Sequence, residues 1–163
     1  MKKIICKIVV FLMMIAVVGC SSAKSNELEP GIDLNNFYQA VLDIQSDDAE
    51  DLILFEEFNP ALIESFYPGL DSIELNQQLL YMPPIATYPC EIFLVEVKNK
   101  DDVSKVVDIF KTRIDIGANN DSYPESAAGW QLYAEVHQSG NYVCMIVLPE
   151  GYVIPDNVFE LLD

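Results

Sequence analysis

His137 is the only histidine in the chain, and strand alternation sets it on one face with Glu135 and Tyr133. A histidine general base needs a nucleophile within hydrogen-bond reach and a carboxylate to orient its ring. Glu135 supplies the carboxylate, but the sequence carries no nucleophile elbow and no cysteine in a reactive setting. The expectation is therefore a solvated strand histidine. With no further His or Cys at ligand spacing, a zinc site is not expected either. Asp115, Asn119, Asn120, Asp121 and Glu125 gather oxygen ligands in one loop, as a hard cation requires. Their spacing and the turn-glycine position do not match the EF-hand pattern, so they read as a polar loop. Asp47, Asp48, Glu50 and Asp51 read as a solvated acidic turn. Neither a glycine-rich phosphate loop nor a dinucleotide fingerprint is present, and the sequence assigns no catalytic, cofactor-binding or metal-binding residue.

Aromatic side chains are the remaining candidates. Tyr81, Tyr88, Tyr123, Trp130 and Tyr133 flank prolines and loop ends, where amphipathic rings serve partner binding. The competing reading places them in the core, and Trp130 in particular as a buried anchor under a helix.

The residue whose chemistry the sequence does specify is Cys20. Lys2, Lys3 and Lys7 make a cationic start, Ile8 to Val18 is an uncharged apolar run, and Val17-Val18-Gly19-Cys20 closes it with small residues before a cysteine. That run is too short for a hydrocarbon core needing roughly 20 helical residues. It predicts a lipoprotein signal peptide over residues 1–19, with diacylglycerol on Cys20. Two acyl chains, at about 0.8 kcal/mol per buried methylene, hold a protein on a bilayer where one chain is marginal. Ser21-Ser22-Ala23 also fits ordinary secretion, with cleavage after Ala23 and loss of Cys20. Residues 20–32 are polar and read as a tether with a coil reach of only about 20 Å.

Loss of residues 1–19 removes three lysines and no acid, leaving 6 basic against 26 acidic residues, a net charge of −20. That sign argues against nucleic acid, whose binding depends on Lys and Arg neutralising phosphates, and against direct adhesion to anionic lipid. Residues 33–163 have the size of one domain with one core. Cys90 and Cys144 remain in it. Outside the cytoplasm they are free to bridge, but no Cys-x-x-Cys spacing supports it, and both lie by apolar runs where cysteine acts as a small hydrophobe.

The elements that would carry these residues follow from periodicity. Asp33 to Gln45 predicts an amphipathic helix, and Asn59-Pro60 opens a short one that Pro68-Gly69 stops. Strands are expected near Gln77–Met82, Glu91–Val97, Leu132–Gln138 and Tyr142–Leu148, the last two joined as a hairpin by Ser139-Gly140-Asn141. Val103, Val106, Val107, Phe110 and Ile114 line a helix starting near Asp101, with Gly117 at its end. Ser122 to Trp130 gives one or two turns opened by Pro124, and Pro155 to Leu162 a last short helix. The expected fold is α+β: a single domain with about four mainly antiparallel strands and helices packed on one face, after a lipoprotein signal peptide.

Tyr67 before a turn, Leu79-Leu80-Tyr81-Met82-Pro83 at a strand end, Glu91-Ile92 opening a strand, Arg113 late in the next helix, Tyr123-Pro124 and Gly140-Asn141-Tyr142-Val143 follow one another in a recognisable order. In that order the chain resembles the small Firmicutes lipoproteins catalogued as domain of unknown function number four-three-five-eight, with Pro89-Cys90 before Glu91 as a departure. The resemblance implies a lipid-anchored single-domain protein of bacterial envelopes and carries over no catalytic residue.

Together these readings predict a membrane-anchored extracytoplasmic protein, with membrane lipid as its partner through Cys20 and an unidentified envelope protein or ligand as another. The expected role is a non-catalytic binding or interaction module. The alternatives are an envelope hydrolase or transferase with a site assembled from distant residues, and a structural accessory subunit.

Overall fold

The computed structural model describes residues 31–44, 56–83, 88–152, 154 and 156–162. The expected signal peptide, Cys20, most of the expected tether and the acidic run at Asp47 to Asp51, read above as a turn, lie outside them. Asp33 opens helix α1 (Leu34–Ile44) as its sequence suggests, Oδ1 accepting from the Asn35 amide at 2.9 Å. Leu34, Phe37, Tyr38 and Val41 make its buried stripe. Asn59 Oδ1 accepts from Ala61 N at 3.0 Å and Pro60 starts a 3₁₀ turn (60–62) that runs into the single turn α2 (Ile63–Phe66). Asn99 caps a second such turn (100–102), which leads into the long helix α3 (Val103–Ala118).

Five strands, β1 (Glu56–Glu57), β2 (Leu75–Met82), β3 (Glu91–Val97), β4 (Glu135–Ser139) and β5 (Tyr142–Val147), form one antiparallel sheet in the order β1-β2-β3-β5-β4. The fold is α+β, as expected. The four longer strands are those read from the sequence, and β1 is a two-residue addition at one edge. β3 is central and buried at all seven positions. Its odd residues Phe93, Val95 and Val97 pack with α2, α3 and β5 residues, and with Trp130 of α4 (Pro124–Tyr133). Its even residues Ile92 and Leu94 pack with α1 and with α5 (Asp156–Phe159). Helices therefore cover both faces of the sheet, one more layer than the sequence reading gave. The reason is that β3 and β5 are apolar on both sides, and a sheet face left wet would forfeit roughly 1.5–3 kcal/mol for each large side chain on it.

Three local readings are corrected. Leu132 to Ala134 does not open a strand: α4 continues to Tyr133 and β4 begins at Glu135. The alternation there was too short to exclude a helix, and burial of Ala127 and Trp130 against α3 holds the helical form. Gly117 is a buried residue of α3 rather than its stop signal. A Cβ at that position would overlap the Trp130 ring, so the glycine lets α4 approach α3. The third is His137, which is partly covered by Phe159 of α5 rather than solvated.

Candidate functional site

The sheet carries two buried carboxylates, both on β3. Glu91 is 1% and Glu96 0% exposed. A buried ion left unpaired costs several kcal/mol, so each must be matched, and the two are matched differently.

Glu91 faces α2 and α3. Arg113, on the last turns of α3, meets it side-on, Nη2 donating to Oε2 at 2.7 Å and Nε to Oε1 at 3.3 Å. Tyr67, just past α2, donates its hydroxyl proton to Oε1 through a short hydrogen bond. Aromatic rings enclose the group: the guanidinium carbon lies 4.5 Å from the Trp130 ring centroid and 5.6 Å from that of Phe66. Tyr67 is itself fully buried against Phe93 and Phe110. Its burial, with Glu91 beside it, raises its pKa well above the ordinary phenolic value, so it stays a proton donor. Burial works against the Arg113 charge, but Glu91 overcomes it and the guanidinium pKa is raised.

Glu91 and Arg113 of this group line a cleft of about 420 Å³ at the end of the sheet where β2 finishes and β3 begins. Phe58, Phe66, Tyr88 and Trp130 supply aromatic walls, and Glu57 lies at its β1 side. Tyr88 is 54% exposed, a large ring held in solvent at the mouth. Cys90 also lines the cleft, buried, with its thiol pKa pushed up to about 12 by desolvation. A thiol so placed is protonated and inert. With Glu91, Arg113 and Tyr67 committed to one another, the cleft offers shape and aromatic surface, and the other acid among its described lining residues is the exposed Glu57 on the β1 side.

Glu96 faces the opposite side of the sheet and, among the described residues, is held by amide donors and not by a cation. Its Oε1 accepts from Gly31 N at 2.7 Å, Asn141 Nδ2 at 3.1 Å and Asn76 Nδ2 at 3.3 Å, and its Oε2 from Gln77 Nε2 at 2.7 Å. Gln77 Nε2 also donates to Ile32 O at 2.7 Å, and Ile32 N donates to the Tyr142 hydroxyl at 2.7 Å. A Cβ on Gly31 would overlap that hydroxyl, so this position requires glycine. The entry of the chain into the domain is thus clasped to the sheet.

His137 does not stand free in solvent. Its ring stacks on Phe159 of α5, centroids 3.6 Å apart and 16° between planes, and Nε2 lies 3.1 Å from Glu135 Oε2. Alternation placed it correctly across the strand from Val136, but that second face is roofed by α5. Tyr133, Glu135 and His137 do line one hollow of about 330 Å³, whose other described lining residues are apolar or aromatic, without Ser, Thr, Cys or Lys. The loop around Asn119 and Asn120 spends its side chains on local backbone, Asn119 Nδ2 on Asp115 O and Asn120 Oδ1 on Ser122 N. The aromatic candidates disperse: Tyr81 stacks on Tyr38 at 3.8 Å, Tyr123 is exposed beyond α3, and only Tyr88 and Trp130 share the cleft.

Sequence reading quoted Tyr67, Glu91 and Arg113 for the order of the chain and gave them no common role, and it passed over Glu96. The available signal was a pair of carboxylates inside a strand apolar on both faces, which burial obliges to find partners. Among the described residues, no helix is long and apolar enough to cross a membrane. The model of a family described as a domain of unknown function, DUF4358, matches residues 47–148, a span that holds the cleft and most of the clasp. No curated protein and no solved structure matches the chain.

Proposed function

The chain belongs to the DUF4358 family, and from that premise we propose that it is a lipid-anchored extracytoplasmic protein, held by diacylglycerol on Cys20, that acts as a non-catalytic binding module of the cell envelope. Its receiving surface is the aromatic cleft. The observation that carries this reading is that Glu91 and Arg113, which line the cleft, are saturated by one another and by the buried Tyr67. A wall whose charges are internally paired is electrically near neutral, so the cleft suits an uncharged, apolar or aromatic group of a ligand. Tyr88, exposed at the mouth, is the ring free to close on it.

Two measurements on the full-length protein in its native membrane test the reading. Cys20→Ala should move the protein from the detergent phase to the aqueous phase, and retention at wild-type levels would refute the anchor. A photo-crosslinking side chain in place of Tyr88 should give a discrete adduct that the same group at Glu125, exposed on α4, does not. Identical adduct patterns from the two positions would refute the cleft as the binding surface.

A further inference from the structure

The clasp and the cleft lie at opposite ends of β3 and on opposite faces of the sheet. Glu91 shares the face of Phe93 and Val95, whereas Glu96 shares that of Ile92 and Leu94. Five residues at about 3.4 Å each separate their Cα atoms by roughly 17 Å along the strand. The flanking elements agree: Met82, Pro83 and Arg113 gather at the Glu91 end, while Gln77, Asn141 and Gly31 gather at the Glu96 end.

We infer that the clasp is an orienting device, which turns the Glu96 end of the sheet to the bilayer and presents the aromatic cleft to the aqueous side. The inference rests on the lipid anchor proposed at Cys20. Ten residues lie between Cys20 and Gly31, at most about 37 Å of chain, so the anchor joins the domain at the end where Gly31 is fixed and holds that end nearest the bilayer.

Charge supports the same direction independently. Beyond Cys20 the chain has six basic residues: Lys24 on the tether, Lys98, Lys100 and Lys105 around the end of β3 and the start of α3, and Lys111 and Arg113 further along α3. Four of the six thus lie on the tether or at the clasp end. There Lys98 pairs with Glu74 and Lys105 with Asp102, with Lys100, Asp33 and Asp101 close by. With Asp33, Glu64, Asp71, Glu74, Glu96, Asp101 and Asp102 against Lys98, Lys100 and Lys105, this end holds only a minor share of the −20 carried from Cys20 onward, so most of the repulsion from an anionic surface falls on the rest of the molecule. The occupant of the cleft is accordingly a molecule met in the aqueous phase, not a lipid of the anchoring bilayer.

The test uses full-length protein purified from membranes, checked by mass for the diacylglyceryl group and reconstituted in phosphatidylglycerol–phosphatidylcholine vesicles that contain a headgroup spin-labelled lipid. A fluorophore is attached at Asn36→Cys, exposed just past the clasp, or at Tyr88→Cys, with unsubstituted protein as the background for buried Cys90 and Cys144. Quenching should be several-fold stronger at position 36 than at position 88. Exchanging Lys98, Lys100 and Lys105 for glutamate should shrink that difference while the circular dichroism spectrum is unchanged. Equal or reversed quenching in protein that carries the lipid overturns the orientation alone. Protein that lacks the diacylglyceryl mass overturns the anchor, and the orientation with it.

Discussion

Glu91 and Glu96 stand five residues apart on the same buried strand and are neutralised by opposite strategies. Glu91 has a formal cation, Arg113, on a neighbouring helix, whereas Glu96 is held among the described residues by amide donors, one of them the backbone N–H of Gly31. The difference follows from what each end of the sheet has within reach. The long helix α3 returns its last turns over Glu91, while Glu96 meets the edge of the domain and the incoming chain.

Arg113→Ala should destabilise the domain by about 3–5 kcal/mol, because it leaves Glu91 buried without its cation. Joint replacement of Glu91 and Arg113 by Leu and Met should recover much of that loss, since no charge then remains to be matched. Urea denaturation reads both, as a fall in midpoint at constant slope. A loss below about 1 kcal/mol for Arg113→Ala would mean that the pair is wetter than its geometry implies.

Gly31→Ala should open the clasp without unfolding the core. The added methyl overlaps the Tyr142 hydroxyl, which must then release Ile32 N. Hydrogen exchange at the Ile32 amide should accelerate well beyond that of β3, while Tyr142→Phe should have the same local effect at a cost of about 1 kcal/mol for one hydrogen bond. Unchanged exchange in both variants would argue against the clasp.

Cys90 and Cys144 should both be free and unreactive in the folded protein. The register puts Cys144 opposite Leu94, so Cys90 lies four residues along β3 from that partner, about 13 Å and past the 7 Å Cα separation that a bridge tolerates. A thiol reagent should find two groups in denaturant and none under native conditions, and a reductant should leave stability unchanged. Loss of both thiols in denatured, unreduced protein, as a Cys90–Cys144 bridge would cause, would contradict the register.

Stability should fall in alkali. Burial raises Cys90 from its ordinary 9.0 to about 12 and, with the neighbouring Tyr81, Tyr38 from 10.0 to about 12. The folded chain then holds protons that the unfolded chain has released. The contribution is whole below about pH 9 and is lost as pH rises from there towards 12. Denaturation midpoints measured from pH 7 upward should decline over that window, and a flat profile to pH 11 would show these groups to be solvated.

His137→Ala should cost about 1 kcal/mol, the worth of a stacked ring pair, and loosen the C-terminal helix before the sheet. If the protein is a binding module working through the cleft, the same variant should still rescue a strain that lacks it. Loss of rescue by folded, membrane-bound protein would point instead to Tyr133, Glu135 and His137 as working residues.

The sequence alone determined the longer elements and their order, apart from the short edge strand β1 and the boundary between α4 and β4. The caps at Asp33, Asn59 and Asn99, the all-apolar runs of β3 and β5 and the turn at Gly140 are local physics, in which a side chain acts on its own backbone or alternates across one strand. The positive φ of 55° at Gly140 is the same kind of fact. Tertiary structure decided everything that joins residues far apart in the chain. The meeting of Tyr67, Glu91 and Arg113 depends on how α3 lies on the sheet, and the covering of His137 depends on where α5 comes to rest. The role of Gly117 is set by the arrival of Trp130. None of these has a local signature, because a buried carboxylate dictates that a partner must exist but not which residue supplies it.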